Sequence, residues 1–377
     1  MPLKQVAQEA AATSTTAREA VEVRAVRVWL YFVAALVVAM IIVGGATRLT
    51  DSGLSITEWQ PLLGAIPPLT EADWHSAFAK YQQIPQYQLV NKGMSLDEFK
   101  FIYLWEWGHR FLGRFIGVAF AVPFLAFWLR GRLPKGTVPK LTGILALGAL
   151  QGFVGWFMVK SGLVDRIDVS PYRLALHLIL ALVILSAIVW MALTLGEARE
   201  KIRLRTVTPG QKRLAIAVVG LVLLQSLLGA FVAGHNAGLT YNTWPLMDGK
   251  FIPDGLGTLS PWWINIFENI TTIQFNHRMV AYLLAVVAAI QLIWTAKSAD
   301  GEALVRSAGL LTLGVFAQAA LGIWTLIEVV PLWLGLAHQA GAAVVLILAL
   351  RHAHAVTRAA APREAFATGY SASPSIN

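Results

Sequence analysis

The chain has 377 residues, of which 56% are hydrophobic and 14% charged, and its mean hydropathy is +0.61. A soluble protein carries about a quarter charged residues, so neither a water-solvated globule nor a disordered chain fits. Absence of cysteine excludes disulfides, zinc thiolates, iron–sulfur clusters and thiol catalysis. The polar opening segment, 1–27, carries Glu9, Glu19 and Glu22. It is too acidic for a transit peptide and reads as a mobile cytoplasmic tail before an uncleaved first span. Apolar stretches near the length that crosses hydrocarbon follow at Val28–Ala46, Gly108–Leu129, Leu141–Val159, Tyr172–Leu193, Leu214–Gly234, Thr272–Trp294, Leu304–Ile327 and Leu332–Leu350. Between the first two, Thr70–Tyr81 reads as a surface helix capped at Thr70.

The net charge of +9 is distributed for topology and not gathered for nucleic acid. Of the 30 Lys and Arg, 19 lie in the termini and in the loops near 130–140, 195–213 and 296–306. The positive-inside tendency therefore puts both termini in the cytoplasm, with the long loops 47–107 and 235–270 outside. Those two loops resemble each other. Gly53, Leu54, Trp59, Gly64 and Pro68 recur 185 residues later as Gly238, Leu239, Trp244, Gly249 and Pro253. Within the helices, His109-Arg110 corresponds to His277-Arg278, Gln151 and Gly155 to Gln318 and Gly322, and His177 to His338. An even number of duplicated spans enters the membrane in one sense. The expected fold is an all-α polytopic membrane protein, its eight transmembrane helices forming two tandem, parallel-repeat four-helix bundles. These are an N-terminal bundle over 28–194, a basic cytoplasmic linker over 195–213, a C-terminal bundle over 214–354 and a cytoplasmic tail over 355–377. Gly113/Gly117 and Gly148/Gly152 read as sites of close helix approach.

Each half places a histidine near the outer start of its second and fourth spans: His109 and His177, then His277 and His338. Ionisable groups within a bilayer are costly and face the bundle interior. Helices separated by one span are diagonal neighbours in an up-down bundle, so two imidazoles can converge from opposite sides. A flat macrocycle with an axial iron, a haem, fits between them. One such histidine alone reads as an interhelical hydrogen-bonding residue; four in repeat-related pairs read as iron ligands. Arg110 and Arg278 are candidate propionate contacts, with snorkelling to headgroups as the alternative. His235, matched by Thr50 in the first half, reads as a polar cap or gating residue, His75 as part of the surface helix, and His352 and His354 as solvated or in contact with headgroups. Trp59, Trp244, Trp262 and Trp263 fit an aromatic belt.

The halves differ at one chemically informative place. Three residues before His109 stands Glu106; the matching residue before His277 is Gln274. At i, i+3 a side chain shares a helix face with its histidine, and a carboxylate beside an apolar macrocycle could move protons or stabilise a developing cation. Pairing of Glu106 with Arg110 or Arg114 as an ordinary interfacial carboxylate is the simpler alternative. On the first reading, the first half carries chemistry and the second carries electrons.

The Glu-Trp-Gly-His-Arg segment at 106–110, Asn276-His277-Arg278, the two later histidines and the series Gly-Leu-Thr-Tyr-Asn-Thr-Trp-Pro-Leu-Met at 238–247 resemble the haem A synthase family over nearly the whole chain. The likeness is closest to the alphaproteobacterial and mitochondrial branch, which lacks the loop cysteines of other members. It implies oxidation of the C8 methyl of haem O to a formyl group, by two successive hydroxylations with water as oxygen source, for cytochrome oxidase. By the same likeness His109 and His177 hold the substrate haem, Glu106 is the catalytic carboxylate, and His277 and His338 ligate a permanent haem B. It also implies an electron acceptor of unknown identity and a farnesylating haem O synthase as a delivery partner, and it leaves a homo-oligomer open. A basic cytoplasmic side without mitochondrial-style targeting points to a bacterial inner membrane, with the haem sites toward the periplasm. The same four histidines would also serve a two-haem b-type electron-transfer cytochrome that does no chemistry on haem. A transporter built on repeats, using His and Glu as a proton path, is the remaining alternative.

Overall fold

The computed structural model describes residues 3–60, 63–197, 207–298 and 301–359. In chain order its helices are α1 Leu3–Leu49, α2 Glu71–Tyr81, α3 Pro85–Leu89, α4 Leu96–Leu129, α5 Val138–Asp165, α6 Pro171–Glu197, α7 Pro209–Gly234, α8 Asn265–Glu268, α9 Ile270–Ser298, α10 Glu302–Ile327 and α11 Leu332–Arg358. Eight of them, α1, α4, α5, α6, α7, α9, α10 and α11, are long and apolar enough to cross a membrane. These are the eight expected spans, each helix overrunning its apolar stretch, and two of them, α1 and α4, start far before it. Helix α1 continues back to Leu3 where a mobile tail was expected, because residues 3–43 contain neither Pro nor Gly and are rich in Ala. Residues 198–206 of the linker and 360–377 of the C-terminal tail lie outside the described residues.

Helix α4 begins twelve residues before the expected span, at Leu96, and has 34 residues. At 1.5 Å per residue that is about 51 Å, against about 30 Å of hydrocarbon, so the helix is long enough for its N-terminal turns to extend beyond a bilayer core. A capping box fixes its start: the Glu98 N–H donates to Ser95 Oγ at 3.3 Å, and the Ser95 N–H donates to the Glu98 carboxylate at 2.8 Å. The projecting end packs against α2 and α3 through Tyr81, Ile84, Phe99, Ile102 and Leu54. Helix α2 starts, as expected, at a Thr70 cap with the same reciprocal pair to Asp73. Donation from Thr70 holds the Asp73 carboxyl below its ordinary range.

Around the first bundle the neighbours run α1, α4, α5, α6 and back to α1; around the second they run α7, α9, α10, α11 and back to α7. The histidine-bearing helices, α4 with α6 and α9 with α11, are therefore diagonal, an arrangement compatible with tandem four-helix bundles. Helices α1 and α6 pack on α7 and α11 to join the two. The main core lies at this junction, toward the end opposite the histidines. It includes Leu30, Val33, Leu185, Ile188, Ala192, Leu346 and Ala349.

Of the four glycines expected to allow close helix approach, Gly113 alone faces a neighbour closely. A Cβ on Gly117, Gly148 or Gly152 would meet nothing within 4 Å, and one on Gly113 would meet only the Met40 methyl. Helices α4 and α5 touch over a short stretch, whereas α9 and α10 pack along much of their length. There the repeat-matched residues are Ala281, Ala285, Val315 and Ala319, and Val315 is buried. Glycine at four-residue spacing permits contact without requiring it. The outer seam of the first bundle is open where that of the second is filled.

Candidate functional site

The four histidines meet in two pairs. The rings of His109 and His177 have centroids 6.4 Å apart, and those of His277 and His338 are 6.5 Å apart. A metal–imidazole bond of about 2 Å, plus roughly 1.1 Å from ring nitrogen to ring centre, taken on both sides of one metal, comes to about 6 Å. Both pairs thus have the spacing of two axial imidazoles across one iron, and the Nδ1 of His109 is buried without a hydrogen-bond partner. The residues present fit haem.

Close helix approach also occurs at the histidines. Each ring packs into a notch made by a glycine on the preceding membrane helix. A Cβ on Gly44, Gly155, Gly229 or Gly322 would come within 2.9, 2.9, 3.1 or 2.6 Å of the Cε1 of His109, His177, His277 or His338. Only glycine leaves a ring this close to a helix backbone. One turn before the notch, three of the four helices carry glutamine. Gln151 Nε2 lies 3.2 and 3.3 Å from the Nδ1 and Nε2 of His177, Gln225 Nε2 lies 3.1 and 3.3 Å from those of His277, and Gln318 Nε2 lies 3.1 Å from His338 Nδ1, so each amide sits against its ring. Each amide also donates to the carbonyl of its own histidine, at 3.0, 3.0 and 2.7 Å. That second bond fixes where the amide lies, so ring and helix are held together. The fourth helix carries Met40 at the matching position, 185 residues before Gln225. Repetition of Gln-x-x-x-Gly at 151, 225 and 318 was the sequence signal for this arrangement; the 225 copy escapes a comparison of halves because its partner in the first half is Met40.

The acid and the arginines face the loops. Glu106 is 2% exposed. Its Oε2 accepts from Ser55 Oγ at 2.7 Å and from the Ile56 N–H at 2.8 Å, and its Oε1 accepts from Arg110 Nε and Nη2 at 3.1 and 2.5 Å. Four donors fill the four lone-pair sites of a carboxylate. Of the two arginines weighed as partners, Arg110 pairs with Glu106, while Arg114 donates to the Gln60 carbonyl. Arg110 further donates to the carbonyls of Ile56 and Glu58. In the second half Arg278 donates to the carbonyls of Tyr241 and Thr243, the residues 185 positions later, and Gln274 donates to those of Ala237 and Thr240. The two loops are pinned by the same frame with its polarity changed: the acid receives a backbone N–H where the amide gives to backbone carbonyls. Each arginine is thus largely spent on its loop, though the buried Nε of Arg278 has no partner.

The remaining histidines divide. His235 caps α7, with its ring stacked on Phe231 and its buried Nε2 unpartnered. His75 is exposed on α2, as expected. His352 and His354 are not solvated: they are 0% and 4% exposed. His352 lies 2.8 Å from both Gln291 Nε2 and Ser307 Oγ; His354 lies 3.1 Å from Thr194 Oγ1 and edge-on to Trp190. Helices α6, α9 and α10 cover the inner end of α11, a contact that spacing along α11 alone does not reveal. Trp59, Trp244, Trp262 and Trp263 are exposed in the loops that join α1 to α4 and α7 to α9.

The sequence profile of COX15-CtaA, described as a cytochrome oxidase assembly protein, matches residues 27–350. The chain belongs to the COX15-CtaA family. Similar proteins include a heme A synthase of Parvibaculum lavamentivorans, 55% identical over 330 residues that make up 88% of this chain and 94% of that protein. The heme A synthase of Azorhizobium caulinodans is 54% identical over 333 residues, 88% of this chain and 93% of its own length. That of Brucella abortus is 52% identical over 340 residues, 89% and 93% of the two chains. The COX15-CtaA match takes in both histidine pairs, both outer loops and all eight spans apart from the ends of α1 and α11.

Proposed function

We propose that this chain is a haem A synthase, a multi-pass membrane oxidoreductase that converts the C8 methyl of haem O to a formyl group. The two histidine pairs at the spacing of axial ligands carry the reading, together with relatives of that name matched over nearly their whole length. His109 and His177 hold haem O as substrate, and His277 with His338 hold one haem B. When bound, haem B supplies one-electron transfer. Each hydroxylation of the methyl carbon takes oxygen from water and releases two electrons and two protons; loss of water from the doubly hydroxylated carbon leaves the formyl group. The electrons pass to an acceptor outside the chain.

The chain's own residues orient the substrate and handle charge. Glu106 acts as the catalytic carboxylate, and its saturated bonding favours one of the two roles open to it. A carboxylate with every lone pair taken is a poor proton acceptor, but it is a rigid negative charge that favours a cation developing nearby. Arg110 and Arg278 reach the propionates through N–H groups left over from the loops. The termini face the cytoplasm of a bacterium and the histidine pairs lie toward the periplasmic side, as the Lys and Arg distribution supports.

Extraction of pigment from the purified protein, expressed with haem O supply, tests the reading. A formyl-bearing haem together with haem B is the expected result. Haem B alone would favour the two-haem electron-transfer cytochrome, and a colourless protein would favour the transporter.

A further inference from the structure

Helices α1, α5, α7 and α10 each present one residue a turn before the glycine notch that receives an imidazole. On three of them it is a glutamine whose amide touches the ring and is itself tied to the histidine carbonyl. On α1 it is Met40, whose methyl rests 3.2 Å from where a Gly113 Cβ would stand, and the His109 Nδ1, in the Gly44 notch one turn on, is buried with no partner. No other histidine of the two pairs has an unpartnered ring nitrogen among the buried groups.

We infer that Gln151, Gln225 and Gln318 are positioning residues that lock three imidazoles for ligation, and that Met40 leaves His109 unlocked so that the first site exchanges its haem while the second retains it. This rests on the reading of two haem sites. A ring held in its binding orientation loses nothing further when it ligates, whereas a ring that samples other orientations ligates only in the competent fraction, which weakens apparent affinity by that fraction. Groups that orient a metal-ligating histidine are worth about 10–100-fold in affinity. The open α4–α5 seam points the same way, since Gly117, Gly148 and Gly152 face no neighbour in the half with the unlocked histidine. An enzyme whose substrate and product are both haems needs one site that lets go and one that does not.

The test exchanges the two residues in the full chain, loads each purified protein with added haem B, and follows transfer of that haem to apomyoglobin by Soret absorbance. One background, H277A/H338A, leaves the first pair; the other, H109A/H177A, leaves the second. With the second pair alone, Q225M should speed haem loss about 10–100-fold, and Q318M should do the same if Q225M does not fold. With the first pair alone, M40Q should slow loss by a similar factor and narrow the low-spin ferric signal in electron paramagnetic resonance, as one ring orientation replaces several. M40L should leave the rate unchanged, which separates the missing amide from any role of the thioether. Unchanged rates for M40Q and for both glutamine variants, with haem still bound through the histidines, would overturn the inference and leave the two-site reading intact. Retention of haem B by a chain lacking all four histidines would overturn the two-site reading, and the inference with it.

Discussion

The two halves share one frame and differ in polarity at two points. Both pin their outer loop by an arginine donating to two carbonyls at equivalent positions, and both seat imidazoles against glycine. Where the first half has Glu106 and Met40, the second has Gln274 and Gln225. The second half sets an amide beside its arginine and clamps both imidazoles; the first sets an acid beside its arginine and leaves His109 unclamped, with a short α4–α5 contact. Duplicated scaffolds make such differences readable: whatever is needed for folding is present twice, so what occurs once is the candidate for chemistry.

The largest effects should come from the ligands, and they should separate the halves. H277A/H338A should abolish retained haem B, measured as pyridine haemochrome per mole of protein. H109A/H177A should abolish haem A while leaving haem B near one equivalent; equal loss from both doubles would erase the distinction. Next is E106Q, which makes the first half resemble the second. An amide keeps the shape of Glu106 but turns one of two accepting oxygens into a donor facing donors, so Tm should fall while haem binding through the histidines survives and haem A formation drops about a hundredfold or more. Full product from E106Q would reduce Glu106 to a loop anchor.

Smaller effects test the frame itself. Ser55→Ala removes a donor from a buried carboxylate and should cost about 1.5–3 kcal/mol, read as a lowered Tm in detergent. Its counterpart Thr240 serves Gln274 through its backbone carbonyl, so Thr240→Ala should cost about 1 kcal/mol or less. Equal shifts would show that the acid is not held more dearly than the amide. Most local, Thr70→Ala should cost about 1 kcal/mol through loss of the cap of α2, a helix of the first loop alone, seen as faster amide exchange confined to α2.

The spans and the pairing of histidines were legible because each leaves a mark in one dimension, apolar length and histidines on alternate helices, and the fold is compatible with the fixed shift read as a duplication. The α2 cap was legible for the same reason, Thr70 and Asp73 being three residues apart. What escaped depends on partners without a sequence signature. Arg110 and Arg278 bind backbone carbonyls, which every residue offers, so nothing distinguished loop pinning from propionate binding. Glycines at four-residue spacing look alike whether they face a helix, an imidazole as at Gly155, or nothing as at Gly148. His352 looked solvated beside Arg351 because its cover, Gln291 and Ser307, comes from two other helices.

The central claim is that two equivalent imidazole pairs hold haem for different ends. Its most direct test is pigment analysis of the wild-type chain and the two double histidine variants, each purified after expression with haem O supply. The account predicts haem B with formyl haem in the wild type, haem B alone in H109A/H177A, and no haem B in H277A/H338A. The same pigments in all three proteins would contradict it.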